Sequence, residues 1–186
     1  MNKTFVIPLL LLTLSCSTEG NQSDSTNEQV NLEQPESLEL SVIDESYTLT
    51  LQIDELESED YLLSAKIDFI DSSYVVSPFS EDTIFGKFVV SIEENSNILL
   101  ESSISELPNS IEEFDPIINQ PVRFIRENTT FKKKLKVLSK DDFQVTGEIW
   151  FVLEPRCIPE EIKFTISSNS GLLKIEKNEK QIANKK

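Results

Sequence analysis

The side chains of this chain that could do chemistry are carboxylates. Adjacent acidic pairs occur at Glu93-Glu94, Glu112-Glu113, Asp141-Asp142 and Glu160-Glu161. Two carboxyl groups flanking a glycosidic bond are the apparatus of glycoside hydrolysis. Each pair falls where the sequence reads as a turn or loop, and a carboxylate there is ordinarily just solvated. Sugar-cleaving sites also tend to carry several aromatic faces, and one Trp with three Tyr is a thin supply. The chain has no histidine, which removes Ser-His-Asp and Cys-His arrangements, zinc sites of the usual kind and the commonest general base. Gly20, Gly86, Gly147 and Gly171 are isolated, so there is no phosphate-cradling loop. Asp68, Asp71 and Asp82 could gather around a calcium ion with loop carbonyls, but no Asp-x-Asp-x-Asp-Gly spacing accompanies them. No catalytic residue, metal ligand or cofactor is expected on these grounds, and no residues stand out as a binding site.

The two cysteines are in different situations. Cys16 follows a leader in which Lys3 supplies a positive charge and residues 5–14 are apolar apart from Pro8 and Thr13. At about 1.5 Å per residue that run covers roughly 15 Å, half of a ~30 Å hydrocarbon core. It is too short to span and is the length of a signal-peptide apolar region. The small Ser15 stands directly before Cys16. Cys157 lies between Pro155 and Pro159 beside Ile158, and the expectation is a small buried hydrophobe rather than a reactive thiol.

Leu14, Ser15 and Cys16 resemble the lipobox of bacterial lipoproteins, with Thr13 where that family most often has Leu and Leu12 one place further back. The resemblance covers about a tenth of the chain. It implies cleavage before Cys16, a diacylglycerol on its thiol and a further acyl chain on the new amine. Two or three chains, at about 0.8 kcal/mol per buried CH₂, make attachment stable. The alternative is an ordinary secretory signal in which the cysteine is incidental. With Cys16 consumed by an anchor, Cys157 is alone and no intramolecular disulfide is available.

Charge narrows the partners. The chain carries −16 formally, and without Lys3 the remainder is at −17. Such a chain does not bind nucleic acid by neutralising phosphates. Residues 19–115 hold 24 Asp/Glu against Lys66 and Lys87, whereas residues 116–186 hold 9 against 14 Lys/Arg. Either an acidic face meets a basic or metal-loaded partner, or early and late strands lie side by side and neutralise each other, the preferred reading. Lys132, Lys133, Lys134 and Lys136 fall on a predicted strand whose alternation splits them between faces, which suits a solvated edge better than a ligand patch. Asp24-Ser25-Thr26 and Asp82-Thr83-Ile84 look like the short Asp-Ser/Thr-apolar sites of O-glycosylation in some Gram-negative envelope proteins.

The elements that must position these groups are strands. Residues 16–37 are polar and acidic without periodicity and read as a tether of about 25 Å average reach. From residue 38 the period is two. Leu38, Leu40 and Val42 are followed by a turn at Asp44-Glu45-Ser46 and by Tyr47, Leu49, Leu51 and Ile53, which predicts a hairpin. Residues 54–60 are an acidic connection. Tyr61, Leu63, Ala65, Ile67 and Phe69 make the next stripe. A link at 71–82 precedes a strand at 85–92, which is expected to pair back with 98–104. Residues 106–120 read as a crossover with one helical turn at 110–114. Strands follow at 122–126 and 131–138. The longest alternation runs through Phe143, Val145, Gly147, Ile149, Phe151 and Leu153, with Trp150 and Val152 on its other face, so this strand is expected to be central and covered on both sides. Ile162, Phe164 and Ile166, a turn at 167–171 and residues 172–175 complete the series. With few glycines, the turns must rely on Asp, Asn and Ser.

About ten short strands with almost no helical periodicity predict an all-β domain. The expected form is an antiparallel β-sandwich, immunoglobulin-like or transthyretin-like, with a closed barrel as runner-up. The expected organisation is a signal peptide at 1–15, a lipidated cysteine and tether at 16–37, the sandwich at 38–176 and a charged tail at 177–186. The functional expectation is a non-catalytic, lipid-anchored protein of the cell envelope, in the outer membrane of a Gram-negative bacterium. Its partners would be the membrane, through the anchor, and an envelope protein or glycan, with a binding, accessory or structural role. A histidine-free carboxylate hydrolase of polysaccharide is the alternative. The anchor has a direct test: Cys16→Ala should abolish metabolic acyl labelling and release the protein from the membrane fraction, and unchanged labelling with unchanged retention would refute it.

Overall fold

The computed structural model describes residues 39–57, 59–81 and 84–178. Cys16, the tether, Asp24-Ser25-Thr26, Asp82, Thr83 and the tail beyond residue 178 lie outside these residues.

The described chain is all β. The first hairpin, β1 (Glu39–Ile43) and β2 (Tyr47–Glu57), turns at Asp44, whose carboxylate accepts the Ser46 N–H at 3.1 Å. β3 (Asp60–Phe69) pairs antiparallel with β2, Leu51 opposite Ala65. Residues 54–57 and 60 are therefore mostly strand, and the acidic connection expected there shrinks to the few residues between them. The period-two stripes are buried as expected: Leu49, Leu51 and Ile53 on β2, and Leu63, Ala65 and Ile67 on β3. Each of the Leu and Ile side chains contributes about 1.5–3 kcal/mol by leaving water.

β4 (Val75–Val76), β5 (Val89–Ile92), β6 (Ile98–Leu100), β7 (Ser105–Leu107) and β8 (Ile111–Asp115) are short. β9 (Gln120–Ile125), β10 (Thr129–Val137), β11 (Phe143–Leu153), β12 (Ile158–Asn169) and β13 (Leu172–Lys177) follow. The strands number thirteen among the described residues, not about ten, and four of them run to 10–12 residues. The excess comes from 98–115, where three short strands replace one strand and a helical crossover, and from β4, which lies in the expected link at 71–82. Residues 110–114 form no helix. Their apolar side chains sit at Ile111 and Phe114 with Pro108 and Pro116 on either side, too short a stretch for a helix to nucleate.

Two open sheets make a sandwich. One runs β1-β2-β3-β10-β6, with β7 also on β10, and the other runs β13-β12-β11-β5. Neither closes into a barrel. A third sheet, β4-β9-β8, joins the end of β11 through a bridge between Tyr74 and Glu154. β5 and β6 do not form the expected hairpin. β5 pairs with β11, Val90 opposite Ile149, whereas β6 pairs with β10, Ile98 opposite Val137. The turn between them, in which Asn95 Oδ1 accepts the N–H of Asn97 at 2.9 Å and of Ile98 at 2.8 Å, carries the chain from one sheet to the other. Alternation within a strand does not encode which partner it takes.

The core between the sheets is knit by aromatic rings. Phe88 lies between Phe131 on β10, 4.0 Å centroid to centroid, and Phe151 on β11, 5.5 Å away, all three nearly parallel. Tyr47 meets Phe151 edge-on at 5.3 Å. β11 is flanked by β12 and β5, and its second face is half-covered: Trp150 and Val152 lie so close over Gly86 that a Cβ there would come within 2.6 Å of both. On the inner face Gly147 pairs with Phe164 of β12, and a Cβ on Gly147 would lie 2.2 Å from the Phe164 ring. The ring fills the missing side chain's place. Gly147→Ala should push a fully buried ring out of position and destabilise the domain by about 1–3 kcal/mol, read as a lower midpoint in urea unfolding. An unchanged midpoint would contradict this packing.

Candidate functional site

The acidic pairs do not come together. Glu112-Glu113 and Glu160-Glu161 lie within β8 and β12 rather than in loops, because alternation there places one member of each pair on either face. Glu112 pairs with Arg123 at 3.7 Å, and Glu113 takes Arg126 on both oxygens at 3.2 Å. Glu161 holds Lys163 at 2.5 Å, and that contact keeps the Glu161 carboxyl below the usual carboxylate range. Glu93-Glu94 and Asp141-Asp142 lie outside the strands, as expected. Asp68 and Asp71 do not share a site either. Asp68 gives one oxygen to Lys66 at 2.7 Å, and its other oxygen is buried without a partner. Asp71 accepts the Ser73 N–H at 2.7 Å and faces Arg156 at 3.8 Å, and the bonds from Ser73 chiefly hold its carboxyl below the usual range. Asp82, the third member of that candidate group, lies outside the described residues. Among the described residues no three His, Cys, Asp or Glu side chains converge as metal ligands.

The two lone features of the sequence also differ from expectation. Cys157 is exposed, not buried. It sits in a turn after Pro155 with φ 52°, which turns its side chain outward, and its thiol donates to Glu154 at 3.4 Å. That hydrogen bond and the charge of Glu154 push the thiol's pKa up, away from the reactive thiolate. The lysine-rich strand β10 is not an edge. It takes β3 on one side and β6 and β7 on the other, Lys132 facing Ser64 and Ser105. Lys133 points inward and donates to the Val90 carbonyl of the facing sheet at 3.3 Å, and desolvation lowers its pKa.

Two polar clusters do form, and neither had a signal in local sequence. At one end of the sandwich the buried Tyr47 hydroxyl donates to Glu160 at 3.2 Å, and burial, then the Glu160 charge, raises the phenol's pKa well above its ordinary value. Beside it Arg156 donates to Ser46 and to Ser73, the latter at 3.3 Å. This cluster fastens the turn between β11 and β12 to Ser46, just before β2, and to Ser73.

The second cluster lines a cleft of about 400 Å³ beside β8. Its floor is Glu106, 2 % exposed, whose carboxylate accepts the Ser77 hydroxyl at 2.6 Å and the Ser110 N–H. Arg123 and Glu112 stand at its rim with Glu81, and the half-exposed Phe79 forms one wall. Arg123 is held by donating to the Ser110 carbonyl at 3.1 Å, and its own N–H donates to the Ser80 hydroxyl at 3.1 Å. Three carboxylates thus face one guanidinium, with a single aromatic. Glu106 is committed to two structural donors, and no Tyr or Trp offers a stacking face.

β8 itself is the outer strand of its sheet, and no strand of the described residues pairs with its far side. Along it and its flanks, Leu107 (53 %), Ile111 (77 %), Phe114 (64 %) and Ile117 (90 %) are exposed. Alternate residues of such an edge present unpaired N–H and C=O groups.

No protein-family model and no curated protein sequence matches the chain. Among solved structures it is similar to the crystal structure of the GAE domain of GGA2p from Saccharomyces cerevisiae. The two share 9 % identity and a TM-score of 0.39, over 71 % of this chain and 98 % of that one.

If Glu106 serves the fold, Glu106→Ala leaves the buried Ser77 hydroxyl and the half-buried Ser110 N–H without their acceptor. It should cost about 2–4 kcal/mol of stability, and Glu106→Gln, which keeps an acceptor oxygen, clearly less. Equal stability of Glu106→Ala and the parent in chemical unfolding would show that the carboxylate is held there for another purpose.

Proposed function

We propose that this is a non-catalytic, lipid-anchored binding or accessory protein of the cell envelope, in the outer membrane of a Gram-negative bacterium. The observation that carries the reading is the open edge at β8, with Ile111 and Phe114 on the strand and Ile117 just after it exposed. Large apolar groups concentrated on one edge mark an interaction surface more often than chance exposure. The leader ending at Cys16 and the polar stretch at 16–37 support attachment to a membrane at tether's length. The carboxylates of the cleft and of β8 support the non-catalytic part, since Glu106, Glu112 and Glu113 are each engaged by donors of the fold.

Two measurements test the reading together. A photo-crosslinking amino acid at Ile111 or Ile117 should give a discrete protein adduct in intact cells, and the same group at Leu172, exposed on β13, should not. The protein incubated with envelope polysaccharide should release no reducing ends. Release that disappears in Glu112→Gln would establish the hydrolase instead, and absence of any adduct from the β8 positions would remove the binding role.

A further inference from the structure

We infer that β8 accepts an extended, cationic segment of a partner protein as an added strand, with one Lys or Arg of that segment entering the cleft over Glu106. The inference rests on the proposed binding role and specifies its partner.

Three features of the same edge converge on that occupant. The backbone of β8 is paired with β9 on one side, Glu112 opposite Arg123 and Phe114 opposite Pro121, and among the described residues its other side has no strand. An incoming strand can therefore form a ladder there with no rearrangement of the sheet. The side chains of β8, Ile111-Glu112-Glu113-Phe114-Asp115, are three carboxylates and two apolar groups with no basic residue among them, Ile111, Glu113 and Asp115 on one face and Glu112 and Phe114 on the other. A strand that carries both basic and apolar side chains would meet opposite charge and apolar contact along the ladder. The cleft opens beside Ser110 and Glu112 at the start of the strand, and its lining holds the carboxylates of Glu81, Glu106 and Glu112 against Arg123 alone. A cationic side chain of the added strand fits that imbalance; an acidic one does not.

A second copy of the chain fits poorly. Antiparallel pairing of β8 with itself about Glu113 would set Glu113 against Glu113 and Ile111 against Asp115, and like charges directly opposite are unfavourable. The tether at 16–37 is acidic and would be repelled in the same way.

The test uses the full mature chain and three fluorescent nine-residue peptides: alternating Val and Lys, alternating Val and Glu, and the Val/Lys peptide with proline at alternate positions. The Val/Lys peptide should bind at least tenfold more tightly than either of the others, with affinity falling as salt is raised. Its binding should slow backbone amide exchange within residues 111–115. Ile111→Lys combined with Phe114→Lys, both at exposed positions, should weaken binding tenfold or more while the unfolding midpoint stays put. Should that double variant fail to fold, the amide-exchange measurement on the unaltered chain decides. Equal binding of the three peptides, or protection elsewhere than 111–115, overturns the inference. So does a dimer in sedimentation that the double variant dissociates, since the edge would then belong to a second copy. A crosslinked adduct from Ile111 in cells together with no Val/Lys binding would sink this partner class and leave the binding role standing.

Discussion

The ring of Phe88, held between Phe131 and Phe151, is the contact on which the two sheets depend. It belongs to neither sheet's ladder. It stands just before β5, and its own N–H donates to the Val76 carbonyl at 2.9 Å, so the same residue also fastens the small third sheet. One residue earlier but one, Gly86 passes beneath Trp150 and Val152 and covers the outside of β11. A single short segment therefore fills the interior, ties on the sheet that carries the β8 edge, and packs against the outer face of β11. Parallel aromatic rings at these separations add to the area they bury.

The uneven distribution of charge along the sequence is partly resolved by the fold. Arg123 with Glu112, Arg126 with Glu113, Lys136 with Asp60 and Arg156 with Asp71 each join a base of the later half to an acid of the earlier half. All are at least partly exposed, so they set register and solubility more than stability. Arg126 does more than pair: its guanidinium lies 4.0 Å over the Tyr74 ring and 4.8 Å from Phe124, joining β9 to the segment before β4.

The long strands were legible because each has one wet and one dry face. In β11 and β12 nearly every second residue is buried, and the same alternation stands in the sequence. The turns were legible too: with glycine scarce, Asp44, Asn95 and Asp142 accept backbone N–H groups at the corners. What could not be read was partnership. Residues 89–92 and 98–100 look like two arms of a hairpin, yet each gains more apolar contact from a strand some forty to sixty positions away. Glu106 had no local signature, because the hydroxyl that meets its buried carboxylate belongs to Ser77, 29 residues earlier. Cys157 was misjudged for a related reason, since composition favours burial while a left-handed backbone at that position aims the thiol outward.

That partnership has a consequence for how the chain is made. Pairings such as Val90 with Ile149 and Lys66 with Thr130 join residues far apart in the sequence, so local segments gain little before the long-range ladders are closed. A chain still emerging, and shorter than about 150 residues, has β5 without its neighbour and Phe88 with one face bare. Assembly must then wait for the last third of the polypeptide, and nascent chains of this kind need protection from one another until β11 arrives.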